Sequence, residues 1–410
     1  MEFLPAWPPQ FNAQIAFGLL LFAGVIGGFF AHRISWLPSI TGFMAVGLII
    51  GPSGIDLLTK EALELSRPLI DVALGLILYR LGLSLDLRAM LRDPRLLLTS
   101  ILESGATFIA AFAVLVWLGL PTLIAALAAA IVISSSPAVL IHVAHEVNAA
   151  GPVTERVKEL VALNNLFSFL VFSALLPAGL LAMEATWTTA LLQPIYQLLG
   201  SLLIAAAIAF LLVQTARFTR AASQYRMALI IGALMLGVGA AKAFDLSALF
   251  VPLAIGVVVR TLEGRETLSD VEFGEAFELF FIVLFVYAGA KIHLSEMTTL
   301  GGVAIVLVAT RIAAKWLTVF GLSRWQGMPA RPAAATGLLL VPMAGLAIGL
   351  AQTADTLFAL EAEQLNALIL AAVAILETIG PPIAAWSFRL AGEAGQGNKV
   401  GAGGTAEEKT

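Results

Sequence analysis

Residues 122–144 read TLIAALAAAIVISSSPAVLIHVA, an apolar run long enough to cross a bilayer but interrupted in its middle by Ser134-Ser135-Ser136-Pro137. Proline removes a backbone donor and clashes with the preceding turn, so this stretch predicts two half-helices that meet near mid-membrane. A second stretch, about 333–352, is interrupted in the same way by Val341-Pro342-Met343-Ala344-Gly345. Two interrupted spans in corresponding halves of a chain are the sequence pattern of a transporter's binding site. Prolines that merely kink packed helices are the plainer alternative.

The rest of the chain supplies the halves. It has 410 residues, 60% hydrophobic and only 12% charged, with mean hydropathy +0.95, which excludes an ordinary soluble domain. A span needs about 20 apolar residues. That length predicts an all-α polytopic protein with thirteen spans, about 11–31, 38–55, 68–85, 96–118, 122–144, 157–180, 190–216, 226–243, 246–260, 274–290, 300–321, 333–352 and 364–388. Residues 391–410, rich in Gly, Ala and Glu, are expected to form a disordered tail after a transmembrane domain of 1–390. The start, MEFLPAWPPQ, has neither the basic region nor the cleavage site of a secretory signal, so the first span is expected to be retained.

Charge placement fits this count. Sixteen of the 23 Lys and Arg fall in the odd-numbered connections and the tail, four fall in the even-numbered ones, and Arg80, Arg311 and Lys315 are intramembrane. Because cytoplasmic loops carry the basic excess, the N-terminus is expected outside and the C-terminus in the cytoplasm. Thirteen spans also allow an inverted repeat, with about 11–180 matching 226–388 around a linker helix at 190–216. Gly42-Phe43-Met44-Ala45-Val46-Gly47-Leu48-Ile49-Ile50 and Val251-Pro252-Leu253-Ala254-Ile255-Gly256-Val257-Val258-Val259 share a small-apolar cadence at matching places. Most tryptophans, Trp7, Trp36, Trp117, Trp187, Trp316, Trp325 and Trp386, are expected near span ends.

In order and spacing, three segments resemble the cation:proton antiporter superfamily, in its thirteen-span bacterial sodium/hydrogen exchanger-like branches. They are Leu37-Pro38 through Gly51-Pro52-Ser53-Gly54, Leu83-Ser84-Leu85-Asp86-Leu87, and Ser135-Ser136-Pro137-Ala138-Val139. The resemblance implies two crossed discontinuous helices and a homodimer with a mobile core domain that moves like an elevator. It also implies a core carboxylate, in an Asp-Asp or Asn-Asp pair, for which cation and proton compete. Here that place reads Ala162-Leu163-Asn164-Asn165-Leu166. An amide can ligate a cation through its carbonyl oxygen but cannot exchange a proton near neutral pH. Arg80 departs from the pattern, whereas Arg311 falls where the family keeps a basic residue paired with the core acid.

The proton must then be carried elsewhere. Glu103 and Glu377 lie inside spans on repeat partners of the spans with Arg311 and Asn165, so each is a candidate proton carrier or a structural ion pair with Arg80, Arg311 or Lys315. Arg80 has as its structural reading a bridge to Glu103 or Glu377. Ser134, Ser135 and Ser136, before Pro137, offer hydroxyls and free carbonyls to a Na⁺ or K⁺ ion, or cap a half-helix. Lys315 is expected to snorkel towards the interface more readily than to bind an ion. His142 and His145 form a possible relay, with solvation the plainer reading.

These residues, with Pro342 at the second break, predict an antiporter of a monovalent cation and H⁺ in the plasma membrane. It would need no cofactor, no metal beyond the transported cation and no nucleic acid, and it would not be an enzyme. Two alternatives keep the fold: an anion or organic-acid carrier, favoured by Arg80, Arg311 and Lys315 outnumbering the acids, and a non-transporting sensor. No nucleotide domain is expected after span 13.

Overall fold

The computed structural model describes residues 12–34, 38–84, 93–182, 187–219, 223–263, 274–291, 294–343, 345–358 and 362–396. Among them sixteen α-helices and no strands are found. In chain order they are α1 (Ala13–His32), α2 (Ser39–Ile50), α3 (Lys60–Leu65), α4 (Arg67–Ser84), α5 (Pro94–Trp117), α6 (Thr122–Ile131), α7 (Pro137–Glu146) and α8 (Pro152–Ala182). They continue with α9 (Trp187–Phe218), α10 (Ser223–Ala243), α11 (Phe250–Glu263), α12 (Gly274–Ala290), α13 (Leu294–Trp325), α14 (Ala330–Leu338), α15 (Gly345–Phe358) and α16 (Ala362–Ala391).

The predicted all-α polytopic fold is present. Each of the thirteen expected spans is one helix, or, at the two interrupted stretches, a helix pair: α6 with α7, and α14 with α15. Among the described residues seven helices are long and apolar enough to cross a membrane, and four shorter apolar ones accompany them. Trp117 and Trp325 close α5 and α13 and are exposed. Trp316 departs from the expectation: it lies within α13, where it stacks on Phe320 at 5.3 Å. Trp7, Trp36 and the segment 85–87 of the third-span motif lie outside the described residues.

The chain divides into two compact units. The first, built from 1–74 and 273–294, packs α1, α2 and α12 together. Gly27 and Gly42 bring α1 and α2 so close that a Cβ on either would overlap the other's backbone. This is the small-residue device by which membrane helices gain van der Waals contact without help from water.

The second unit, 75–272 and 295–410, holds both interrupted pairs. Its two helices α8 and α16 each pack against all four half-helices α6, α7, α14 and α15. Residues 391–396, at the start of the expected disordered tail, are structured. Glu393 is buried and folds back onto the start of α8, accepting from Val153 N at 2.6 Å, Thr154 N at 2.7 Å and Thr154 Oγ1 at 2.6 Å. Helix N-termini leave backbone donors unsatisfied, and a carboxylate there also meets the positive end of the dipole. Ala150 N donates to Glu393 O and Gly395 N to Val147 O, which completes the clasp. A side chain at Gly151 would strike the Glu393 carboxylate, and only glycine leaves it room. Residues 397–410 lie outside the described set.

Replacing Glu393 by Ala removes a cap at the helix that carries Asn164 and Asn165. It should lower stability by about 1–2 kcal/mol, read as a lower thermal midpoint of the purified protein in detergent. An unchanged midpoint would show that the clasp contributes nothing.

Candidate functional site

Both interrupted pairs leave helix ends inside the protein, and each such end exposes carbonyls with no partner in its own helix. After α6, Val132 N closes the last helical bond on Ala128 O, and residues 133–136 leave the helix until Pro137 opens α7, where Ser136 Oγ accepts from Val139 N. After α14, Leu339 N likewise bonds Ala335 O, and Leu340 to Met343 leave the helix before α15. The two breaks cross and bind one another: Ser136 N donates to Pro342 O at 2.7 Å, and Ser135 Oγ to Leu340 O at 2.9 Å.

The remaining carbonyls are collected by two cations one turn apart on α13. The Arg311 guanidinium, 1% exposed, donates through Nε to Val132 O at 2.8 Å, through Nη1 to Val341 O at 2.6 Å, and through Nη2 to Ser134 O at 2.7 Å and Leu340 O at 3.3 Å. One rigid fork thus spans both breaks, a geometry that arginine alone among the side chains supplies. Lys315 Nζ donates to Ile133 O at 2.7 Å and to Glu103 Oε1 at 2.5 Å. Both members of this ion pair are fully buried. Positive charge at the C-terminal ends of α6 and α14 complements their dipoles.

Glu103 is held from its own helix by Ser104 Oγ at 3.4 Å and Thr107 Oγ1 at 3.3 Å. Asn164 Oδ1 accepts from Ser100 at 3.3 Å and Ser104 at 3.5 Å, while its Nδ2 donates to Ser135 Oγ at 3.5 Å. Asn165 Oδ1 accepts from Ser135 N at 3.0 Å, and its buried Nδ2 has no partner among the described residues. Ser168 Oγ reaches Ala130 O at 2.8 Å. Through these amides and hydroxyls, α5 and α8 are tied to the first break.

The structure therefore brings together Ser134, Ser135, Ser136, Pro342, Asn164, Asn165, Arg311, Lys315 and Glu103, with Pro137 opening the helix that leaves the crossing. It corrects several roles. Among the described residues Arg311 binds carbonyls and no acid; Lys315 does not snorkel but is the residue that pairs with the acid. The carbonyls of Ile133 and Ser134 are occupied by these cations rather than free for a transported one. Among the described residues, neither Glu103 nor Glu377 pairs with Arg80, which is half-buried. The turn around Arg80 lies against α11, where Gly82 and Gly256 meet backbone to backbone. Glu377, 3% exposed, makes no hydrogen bond or ion pair among the described residues. His142 lies 3.9 Å from Glu146, and His145 is exposed.

Sequence reasoning missed Ser100, Ser104, Thr107 and Glu393. The first three stand three or four residues apart beside Glu103, a polar stripe on one face of an apolar helix, and that period was the available signal.

Comparison with known proteins places this arrangement. A family profile described as sodium/hydrogen exchanger, transmembrane, matches residues 18–386. The chain belongs to the sodium/hydrogen exchanger family. This is a family of transporters and not an enzyme class. No curated protein sequence matches significantly. Among solved structures, the sodium proton antiporter MjNhaP1 of Methanocaldococcus jannaschii at pH 8 is similar at 18% identity, with TM-score 0.71, over 93% of this chain and 98% of that one. A structure of the same antiporter from electron microscopy is similar at 19% identity, with TM-score 0.66, over 92% and 96%. At this identity the likeness concerns the fold. Within this fold, Glu103 and Lys315 form a fully buried ion pair.

Removing one partner of a buried ion pair leaves the other uncompensated, at about 3–5 kcal/mol. Lys315→Met should therefore destabilise the protein strongly, while Glu103→Gln combined with Lys315→Met should recover most of the loss. Thermal unfolding of the single and double variants in detergent checks this. Equal midpoints would mean that the pair is not energetically coupled.

Proposed function

We propose that this exchanger moves a monovalent cation, Na⁺ or K⁺, against protons by alternating access, with Glu103 as the acid at which the exchange occurs. The observation that carries the reading is the Lys315 ammonium seated on Glu103 in a fully buried site beside the crossing. The ammonium is a built-in cation, and an incoming Na⁺ or K⁺ can take its place on the carboxylate. Once displaced into a dry surrounding, the ammonium is the costly species. Its N–H bond breaks, the proton leaves to water, and the charge of the site is unchanged. On the other side of the membrane the steps reverse: Lys315 takes up a proton and expels the cation. Asn164 and Asn165 are the amides that hold this site to the first break. They are uncharged ligands or positioning groups and not proton carriers.

On this reading the transporter works as a homodimer in the plasma membrane, N-terminus outside and C-terminus cytoplasmic. Its halves, about 11–180 and 226–388, are inverted repeats around the linker at 190–216. The parallel roles of α8 and α16, each touching all four half-helices, support that symmetry. The anion-carrier reading loses its footing, because Arg311 is saturated by four carbonyls and Lys315 is committed to Glu103.

Purified protein in liposomes, followed with a pH dye during Na⁺, K⁺ and Li⁺ jumps and then anion jumps, tests the proposal. The wild type should give a saturable, pH-dependent cation response that is absent in the Glu103→Gln, Lys315→Met double variant. A protein silent to all three cations, or a double variant that still exchanges, overturns it; silence to every ion would identify a sensor.

A further inference from the structure

Glu377 takes no part in the network just described, yet its place is as central as that of the asparagine pair. Asn164 and Asn165 are borne by α8 and Glu377 by α16, the two helices that each touch all four half-helices. One turn beyond Glu377, Gly380 lies against the second break, where an added Cβ would sit 3.1 Å from Pro342 Cα. The side chain is thus buried, 3% exposed, on the helix that backs that break.

Nothing among the described residues compensates it. Arg311 and Lys315 are spent on carbonyls and on Glu103. The hydroxyl of the adjacent Thr378 donates to Ala374 O in its own helix. Of the helices packed against α16, α7 brings His142, His145 and Glu146 and α14 brings Arg331; none hydrogen-bonds or ion-pairs with Glu377. Helix α6 has no titratable residue, and the side chain of Asp355 on α15 lies outside the described set. An ionised carboxylate without a partner in such a place is strongly disfavoured, and the neutral acid is the form that fits.

We propose that Glu377 is a second proton-binding group of this core, holding its proton in the conformation described and releasing it when a monovalent cation takes the proton's place on the carboxylate. The O–H bond breaks, the proton passes to water, and the cation restores the charge, so the site stays neutral throughout. This rests on the antiport reading above and adds to it a second titrating site, on the helix that backs the second break. A merely structural acid would behave differently. It would need a partner, and its replacement by an amide would cost stability.

Infrared spectroscopy of the full-length protein in liposomes tests this through the carbonyl stretch of protonated carboxyl groups. At neutral pH the wild type and the Glu103→Gln, Lys315→Met double variant should both show the band, and Glu377→Gln should lose it. Perfusion with Na⁺ or K⁺ should diminish the wild-type band, and Glu377→Gln should melt at or above the wild-type temperature. The proposal is overturned by a wild type lacking the band, by a band that survives Glu377→Gln, or by a clear loss of stability in that variant. A band indifferent to cations in liposomes that exchange them also overturns it. Were the wild type to carry no flux at all, the antiport reading would fail, and the band's pH titration would still decide whether Glu377 holds a proton.

Discussion

One side chain holds the crossing together. Two half-helices that end inside a membrane protein present unpaired carbonyls to each other, and without a donor their negative ends would repel. Arg311 inserts a single planar cation among Val132, Ser134, Leu340 and Val341 and satisfies both sides at once. Hydrogen bonds to a charged group contribute about 1.5–3 kcal/mol each, so four of them make the two breaks costly to part. The crossing is therefore a fixed part, and the direct bonds from Ser135 and Ser136 to the second break reinforce it.

The second cation is held differently. Lys315 is one turn away on the same helix and touches the same break through Ile133 O, but its other bond goes to a carboxylate. That carboxylate stands on α5, not on α8 where the family resemblance led one to expect an acid. The shift is a short one in space. Asn164 accepts from Ser104, and Ser104 also donates to Glu103, so the amide and the acid share a hydroxyl. An Asn in place of Asp thus leaves the hydrogen-bond frame intact while the charge resides on the neighbouring helix.

The fold was legible because it depends on things a sequence displays: apolar length, the prolines at 137 and 342, and the placement of Lys and Arg. The elements of the site were legible for the same reason, since a charge within an apolar run stands out. Their pairing was not. Arg311 and Lys315 look alike in sequence, and only the geometry of two crossing backbones shows that a fork is needed at one and a point charge at the other. Lys315 could have snorkelled had its turn faced lipid; instead α13 turns it to the break. Glu393 escaped notice because a Gly- and Ala-rich tail resembles disorder, and the helix terminus that orders it lies 239 residues away in the chain.

The clasp at Glu393, the amides at Asn164 and Asn165, and the Ser168 bond to Ala130 fasten α8 along its length: at its start, at the crossing, and one turn beyond. A helix so fastened cannot slide past the first break without losing several buried bonds together. If access to Glu103 alternates, the alternation must spare these contacts. On the reading proposed above, that leaves movement of the crossing with α5, α8 and α13 as one piece. The local polar bonds, costly to break and fully buried, are what make that the cheaper motion.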